Sequence, residues 1–500
     1  MPGLQNNTAD VDRLINGLKN HLNADRIDVD FQLVKRIPEI LRESDYDVKC
    51  VVFKDRDRMI LLSVAHAKDK TPAAGVAIDL GTSRIGVRLL ELSTGSVIAE
   101  STFDNPQISA GPDILARIHF ADQSRGVEKL NQLIINGLNH EIKRLTGLCK
   151  IQTDNIYAVA LAGNTAMTHL FMGLNPRWII REPYIPVVNS PGILKARDLG
   201  IKANQFARVL IFPNIGSYFG GDLIAGILFS GLHNSKDTSI LVDVGTNAEV
   251  VLGDKNWLIG CAGAAGPALE GGVTKIGITA RPGAIDKITV DPQTNEFVIH
   301  TIENKKPVGI CGSGLIDLGA GLFLSRMLDI RGRFVPEKCG RKLFMQDSIN
   351  HLTVVSPEES ATGEALTISQ TDMDSLIRSK AAMYTILETI TSSVGVPLYD
   401  LSSFYVAGTF GSFIDPESAI SIGMLPDIPV DRYKTIGNSS LEGATLALKS
   451  NNLIEEIFKI RDRITYFELN VNQEFMNRFS AAKFLPHTDT SCFPSVVRRA

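Results

Sequence analysis

The chain has no run approaching the roughly 18 uncharged apolar residues that a membrane helix needs, so a spanning helix is not expected. Neither sign of charge prevails. Lys and Arg total 51 against 55 for Asp and Glu, a net −4, which gives no electrostatic reason to expect nucleic acid or an anionic membrane as partner. The six cysteines (Cys50, Cys149, Cys261, Cys311, Cys339 and Cys492) are scattered without a C-x-x-C pair. Iron–sulfur clusters and structural zinc usually show close cysteine spacing, so reduced, buried thiols are expected instead. The first residues, Met1-Pro2-Gly3-Leu4-Gln5, lack the basic and apolar regions of a signal peptide, and a cytoplasmic location is expected.

What is present is a repeated phrase. Gly75-Val-Ala-Ile-Asp79-Leu-Gly81-Thr82-Ser83 runs on into a second apolar stretch, Gly86 to Leu92. Ser239-Ile-Leu-Val-Asp243-Val-Gly245-Thr246-Asn247 runs on into Glu249 to Leu252. Each reads as a strand, a tight glycine turn and a returning strand. Each ends its first strand in a carboxylate followed by small or hydroxylated residues. That composition suits a polyphosphate, with amides and a hydroxyl on its oxygens and the carboxylate on the metal ion between them.

At 500 residues the chain exceeds one hydrophobic core, and several domains are expected. Residues 1–72 read as a small leading α+β unit, with helical spacing from Asp10 to Leu22 and from Val34 to Leu41. Strands Val48 to Phe53 and Met59 to Val64 follow, and the polar stretch Ala67 to Pro72 closes the unit. A first half, 73–236, contains the helix pattern Val127 to Leu145, a strand Ile156 to Ala162, a helix-like Ala166 to Met172 and a helix Asp222 to Phe229. Pro176 to Phe212 between them reads as a surface excursion. A second half, 237–500, contains the long helix Thr371 to Val394, capped by Asp372 or Thr371, and a strand Ser403 to Ala407. Alternating strands and helices make the class α/β, with the two halves related by duplication.

Three motifs in order, Asp79 to Thr82, Asp243 to Thr246 and the Gly-x-x-Gly at Gly408 to Gly411, resemble the superfamily of actin, the heat-shock chaperone ATPases and the sugar kinases. That resemblance implies two ribonuclease-H-like halves around a nucleotide cleft. The segments Ala162 to Leu170, Asp243 to Glu249, Ala265 to Gly271, Ile310 to Asp317, Ala407 to Glu417, Gly437 to Ala444 and Phe484 to His487 are similar, more narrowly, to the reductive activators of corrinoid-dependent methyltransferases. The leading unit looks like that family's linker domain. The resemblance implies an ATPase that uses ATP and Mg²⁺ to promote reduction of a partner's cob(II)amide to cob(I)amide.

Three departures stand out. The family's usual ferredoxin-like iron–sulfur domain is not visible, so the electron is expected from a separate low-potential donor, unless the chain has left the reductive role. Ser83-Arg84 replaces the usual threonines, leaving Arg84 either on a phosphate or in solvent. Ala248 replaces a usual glycine.

Asp79 and Asp243 are the candidate metal carboxylates, directly or through water. Gly81, Thr82, Ser83, Gly245, Thr246 and Asn247 are the candidate phosphate contacts. Gly266, Glu270, Gly408, Thr409 and Gly411 are candidates for the adenosine side, with Glu270 on the ribose hydroxyls. Hydrolysis needs a group that orients water, and Asp222, Asn164 (with Thr165) and Glu249 all remain open for it. His169 reads as a packed helix residue rather than a cobalt ligand, and Cys311 as structural. Two rival functions stay open: a small-molecule kinase, and a nucleotide-binding regulator with little turnover. The sequence leaves the oligomeric state undetermined, a homodimer being one allowed assembly.

Overall fold

The computed structural model describes residues 5–55, 58–245, 248–263, 273–408, 414–467, 469 and 473–499. The chain forms two compact units, one of residues 1–229 and 439–463, the other of 230–438 and 464–500. The stretch 439–463 thus returns to the first unit, whereas a division at 236/237 would keep it in the second half.

The leading segment opens with the expected helix Asp10–Leu22. Its second helix comes in two pieces, Phe31–Val34 and Ile37–Glu43. The break falls before Pro38, which favours the first turn of a new helix over the interior of an old one. Strands Val48–Asp55 and Arg58–His66 pair antiparallel, and Ile27–Val29 adds in parallel to complete a three-stranded sheet.

The first unit's main sheet has six strands in the order Val97–Asp104, Arg84–Glu91, Ala74–Leu80, Ile156–Gly163, Arg208–Ile211, Ile193–Lys195. The first three are an antiparallel meander, and the next two add in parallel. Alternation along Ala74–Leu80 serves two packed faces. Val76, Ile78 and Leu80 share a core with Leu130, Ile134, Leu138, Ile142 and Leu145 of the helix Gly126–Leu148. Gly75, of opposite parity, faces Leu448 of the returning helix Ser439–Lys449. Truncating fully buried Ile78 to Ala would cost about 2–5 kcal/mol.

The returning helix is held to this sheet by Arg88, which bonds Glu442 at 2.7 Å, Thr445 at 3.1 Å and Glu100 at 2.8 Å. The span from Pro176 to Phe212 is not wholly a surface excursion. It supplies Arg208–Ile211, a fully buried strand of the sheet, along with the edge strand Ile193–Lys195.

The second unit's main sheet also has six strands, in the order Tyr433–Gly437, Ser403–Ala407, Ser239–Val244, Ala248–Gly253, Leu258–Gly263, Ile464–Tyr466. Numbered within each unit, five strands of each sheet follow one order, third-second-first-fourth-fifth, with an antiparallel meander and parallel fourth and fifth strands. The duplication expected from the repeated phrase is therefore visible in the topology. The helix Gln370–Ser393 packs on Ala248–Gly253 and Leu258–Gly263. Its cap is Ser369, whose hydroxyl accepts from the Asp372 amide while Asp372 accepts from the Ser369 amide. This capping box starts the helix earlier than expected and makes Asp372 its third residue. Lys380 in this helix is fully buried and donates to the carbonyls of Phe484 and Pro486 at 2.6 and 2.7 Å, which ties the Phe484–His487 motif to it.

Candidate functional site

Both repeated phrases fold as hairpins. Asp79 is the penultimate residue of its strand, opposite Gly86 on the returning strand and beside Ala162 on the parallel neighbour. Gly81 makes the turn because any Cβ there would lie 2.3 Å from the Arg84 carbonyl oxygen. Thr82 and Ser83 form the tip, with Ser83 exposed. Sequence reasoning missed Asn105, which pins this turn from below: its Nδ2 donates to the Gly81 carbonyl at 2.9 Å and its backbone N–H to the Ser83 carbonyl at 2.8 Å. The only signal was an asparagine before Pro106, since Asn105 also caps the short helix Pro106–Ser109. Arg84 points outward, 66% exposed and 3.8 Å from Asp104.

Two further segments reach this turn. The strand Ile156–Gly163 ends beside Leu80, where a Cβ on Gly163 would come within 2.9 Å of the Leu80 carbonyl oxygen. Asn164 follows and caps the helix Thr165–Phe171, its Oδ1 accepting from the Met167 amide at 3.0 Å, while its Nδ2 donates to Thr82 Oγ1 at 3.1 Å. Gly220 closes in from the other side, where a Cβ would lie 2.5 Å from both Asn164 Cα and Asp222 Oδ1. Asp222 is the second residue of the helix Gly221–Ser230 and accepts from the Leu223 amide at 2.9 Å. Asp79, Thr82, Asn164 and Asp222 thus belong to one junction of three segments. A carboxylate, hydroxyls and turn amides are an oxygen-and-donor set that fits Mg²⁺ and phosphate.

In the second unit Asp243 holds the matching position, opposite Glu249 on the returning strand and beside Ala407 on the parallel neighbour. Directly opposed residues of an antiparallel pair share a sheet face, so Glu249 accompanies Asp243. Both are partly buried. Gly408 sits at the end of the neighbouring strand with φ +84°, where a Cβ would lie 2.9 Å from Asp243 Oδ1 and 3.0 Å from the Val244 carbonyl oxygen. Gly245, two residues past Asp243, is exposed. Ala248 is fully buried at the start of the returning strand, opposite Val244. Thr246, Asn247, Gly266, Glu270, Thr409 and Gly411 lie outside the described residues.

His169 is fully buried, with both ring nitrogens engaged: one meets the Thr165 carbonyl at 2.7 Å, and the other accepts from the Val187 amide at 3.1 Å. Burial pushes its pKa below the usual value. Cys311 is buried at the start of the helix Gly312–Leu324, its Sγ 3.3 Å from Ser313 Oγ. Cys261 and Cys339 are also buried, Cys50 and Cys149 are partly buried, and Cys492 is exposed. Burial holds the thiols of Cys50 and Cys339 up at about 11. Among the described residues no group of three or more His, Cys, Asp or Glu could hold a metal ion, and no helix is long and apolar enough to cross a membrane.

Three family models tile the sequence: the RACo linker region over residues 1–70, the RACo middle region over 74–235 and the C-terminal ASKHA domain of RACo over 237–497. The chain belongs to the RACo family. A solved structure titled as a reductive activator for a corrinoid, iron–sulfur protein superposes with a TM-score of 0.88 at 35% identity, covering 99% of this chain and 79% of that one. The corrinoid activation enzyme RamQ of Eubacterium limosum is 29% identical over 90% of this chain and 76% of its own. A reductase of a methylated-amine-specific Co(II) corrinoid protein from Methanosarcina barkeri is 23% identical over 81% of this chain and 75% of its own. RACo membership carries with it the actin-like ASKHA fold, in agreement with the duplicated sheet order.

Proposed function

We propose that this chain is an ATP-dependent activator of a corrinoid protein. Binding and hydrolysis of Mg-ATP promote reduction of the partner's cob(II)amide to cob(I)amide. One electron from a separate low-potential donor enters the cobalt centre, while ATP and water give ADP and phosphate. The observation that carries the reading is the tiling of the whole sequence by RACo models with both Asp-x-Gly-Thr hairpins retained.

Mg²⁺, when bound, offsets phosphate charge and fixes the polyphosphate. Asp79 and Asp243 hold it directly or through its waters. Thr82, Ser83 and the second-loop residues Gly245, Thr246 and Asn247 take the phosphate oxygens. Gly266, Glu270, Gly408, Thr409 and Gly411 serve the adenosine side. We assign the attacking water to Asp222, a carboxylate at the same three-segment junction as Asp79 and Thr82, with Glu249 supporting Asp243. ATP cannot supply an electron, so the coupling is conformational and requires nucleotide to bind two conformations with different affinity.

The test mixes the protein with a cob(II)amide-loaded corrinoid protein, a strong reductant and Mg-ATP. Appearance of the cob(I)amide absorption band only with ATP is the expected outcome. Its absence with every corrinoid protein tried, together with phosphorylation of a metabolite, would replace this reading by a kinase.

A further inference from the structure

We infer that Asn164 is a positioning residue for the first phosphate loop, aiming the Thr82 hydroxyl at the phosphate with the same side-chain amide that starts the helix Thr165–Phe171. This rests on the nucleotide-binding reading above and goes beyond it by naming what orients one of its donors.

The orientation of the Asn164 amide is fixed chemically. The Met167 backbone N–H can only donate, so the group 3.0 Å from it must be the side-chain oxygen. The nitrogen is then the atom 3.1 Å from Thr82 Oγ1. An amide nitrogen only donates, so the Thr82 hydroxyl accepts this bond and its own proton must point elsewhere. In a loop that binds an anion, that freed donor is the useful one. A threonine without this neighbour could turn its proton inward.

Asn164 is itself held still. Gly220 packs so closely that a Cβ would sit 2.5 Å from Asn164 Cα. The next residue, Thr165, donates its hydroxyl to the Gly216 carbonyl at 3.1 Å, and its carbonyl meets His169 at 2.7 Å. The strand before Asn164 is in register with the strand before the loop, Leu80 pairing with Gly163. The contact is therefore set by the sheet.

The variants separate the two uses of the amide. Asn164→Ser keeps a helix cap, since Ser caps as well as Asn, stays neutral and is too short to replace the bond to Thr82. It is expected to melt at the wild-type temperature, bind Mg-ATP about tenfold more weakly, the scale of one hydrogen bond to a charged group, and raise KM while leaving kcat within about twofold, because the proton's aim affects ground and transition states alike. Thr82→Val should weaken binding similarly, Thr82→Ser should restore it, and Asn164→Ser added to Thr82→Val should change little, because residues acting through one bond do not add.

Calorimetric Mg-ATP affinities and melting temperatures of these proteins decide the matter. Wild-type affinity in Asn164→Ser, with binding lost in Asp79→Ala, overturns the inference and leaves the nucleotide reading standing. An undiminished effect of Asn164→Ser on the Thr82→Val background also overturns it, since Asn164 would then act through another group. Absence of nucleotide binding in the wild type would overturn the nucleotide reading and this inference with it.

Discussion

Opposite Asp79 across its hairpin stands Gly86, whereas opposite Asp243 stands Glu249. The neighbouring fourth strands begin this end alike, Ala162-Gly163 in one unit and Ala407-Gly408 in the other. Each of those glycines lies against the carbonyl of the residue after the aspartate, Leu80 or Val244. The duplication has thus kept the backbone frame that brings a carboxylate to the end of a central strand. The side chains that tend the carboxylate have diverged. The first unit surrounds its turn with amides, Asn105 below and Asn164 beside Thr82. The second places another carboxylate beside Asp243 and lets Gly408 touch Asp243 itself. On the nucleotide-binding reading both loops take phosphate oxygens, and the second carboxylate, Glu249 beside Asp243, weights the cation toward the second loop.

The largest effect should come from removing either aspartate. Asp243→Ala and Asp79→Ala are each expected to lower kcat/KM for ATP at least about 100-fold, a loss of about 2.7 kcal/mol of transition-state stabilisation. If the second hairpin is the cation side, Asp243→Ala will also raise the Mg²⁺ concentration needed for half-maximal turnover more than Asp79→Ala does. Equal Mg²⁺ requirements in the two variants would break the proposed division of labour. Unchanged ATP affinity and rate in Asp243→Ala would sink the site assignment altogether.

The glycine pair gives the next test. Gly408→Ala meets both a positive φ and a clash with the Asp243 carboxylate, whereas Gly163→Ala meets a clash at 2.9 Å with a backbone oxygen and no positive φ. Strain at such positions costs about 1–3 kcal/mol. Gly408→Ala should therefore lose more nucleotide affinity than Gly163→Ala, measured by calorimetry on both proteins. The reverse order would show that the first unit's frame is the more demanding.

Glu249→Gln removes the charge that the first hairpin lacks while keeping the size of the side chain. Turnover should fall about tenfold, less than the roughly 100-fold or more that loss of a general base costs, with little change in melting temperature. If Glu249→Gln is silent and Asp222→Asn is not, the hydrolytic chemistry belongs to the first unit's three-segment junction alone.

These differences explain what the sequence could and could not convey. The hairpins were legible because alternation and the glycine turn are local, and Ser239 to Val244 appears as expected. The long helix was legible from its apolar spacing, but its start was read past Ser369, because Asp372 looks like a cap when it is the reciprocal partner of one. Arg208–Ile211 was hidden because the short apolar run Val209 to Phe212 has no period to read. At the site, the types Asp, Gly and Thr announced a phosphate loop. The bond from Asn164 to Thr82 joins residues 82 positions apart and leaves no local trace. The return of Ser439–Arg463 to the first unit is likewise a long-range decision, carried by Gly443 against the Ala225 carbonyl and Glu442 against Arg88.

The smallest expected effect concerns pH, and it too contrasts the units. His169 in the first and His487 in the second are both buried, and burial lowers both pKa values. At His487 the carboxylates of Glu388 and Asp489 oppose that shift, although Lys380 adds to it, while at His169 only a backbone carbonyl opposes it. A histidine whose folded pKa lies below its unfolded value, about 6.5, takes up its proton more readily when the chain opens. Its contribution to stability is therefore fully present above that value and is lost as pH falls from about 6.5 toward the folded pKa. Protonation of His169 also removes the acceptor for the Val187 amide. Between pH 7.5 and 5.5, hydrogen exchange corrected for intrinsic rate should accelerate at Val187 and Val188 and at Asp489, whose amide bonds His487. His169→Gln should flatten the response in the first unit only. Unchanged exchange at both sites would show that protonation of neither histidine is coupled to opening.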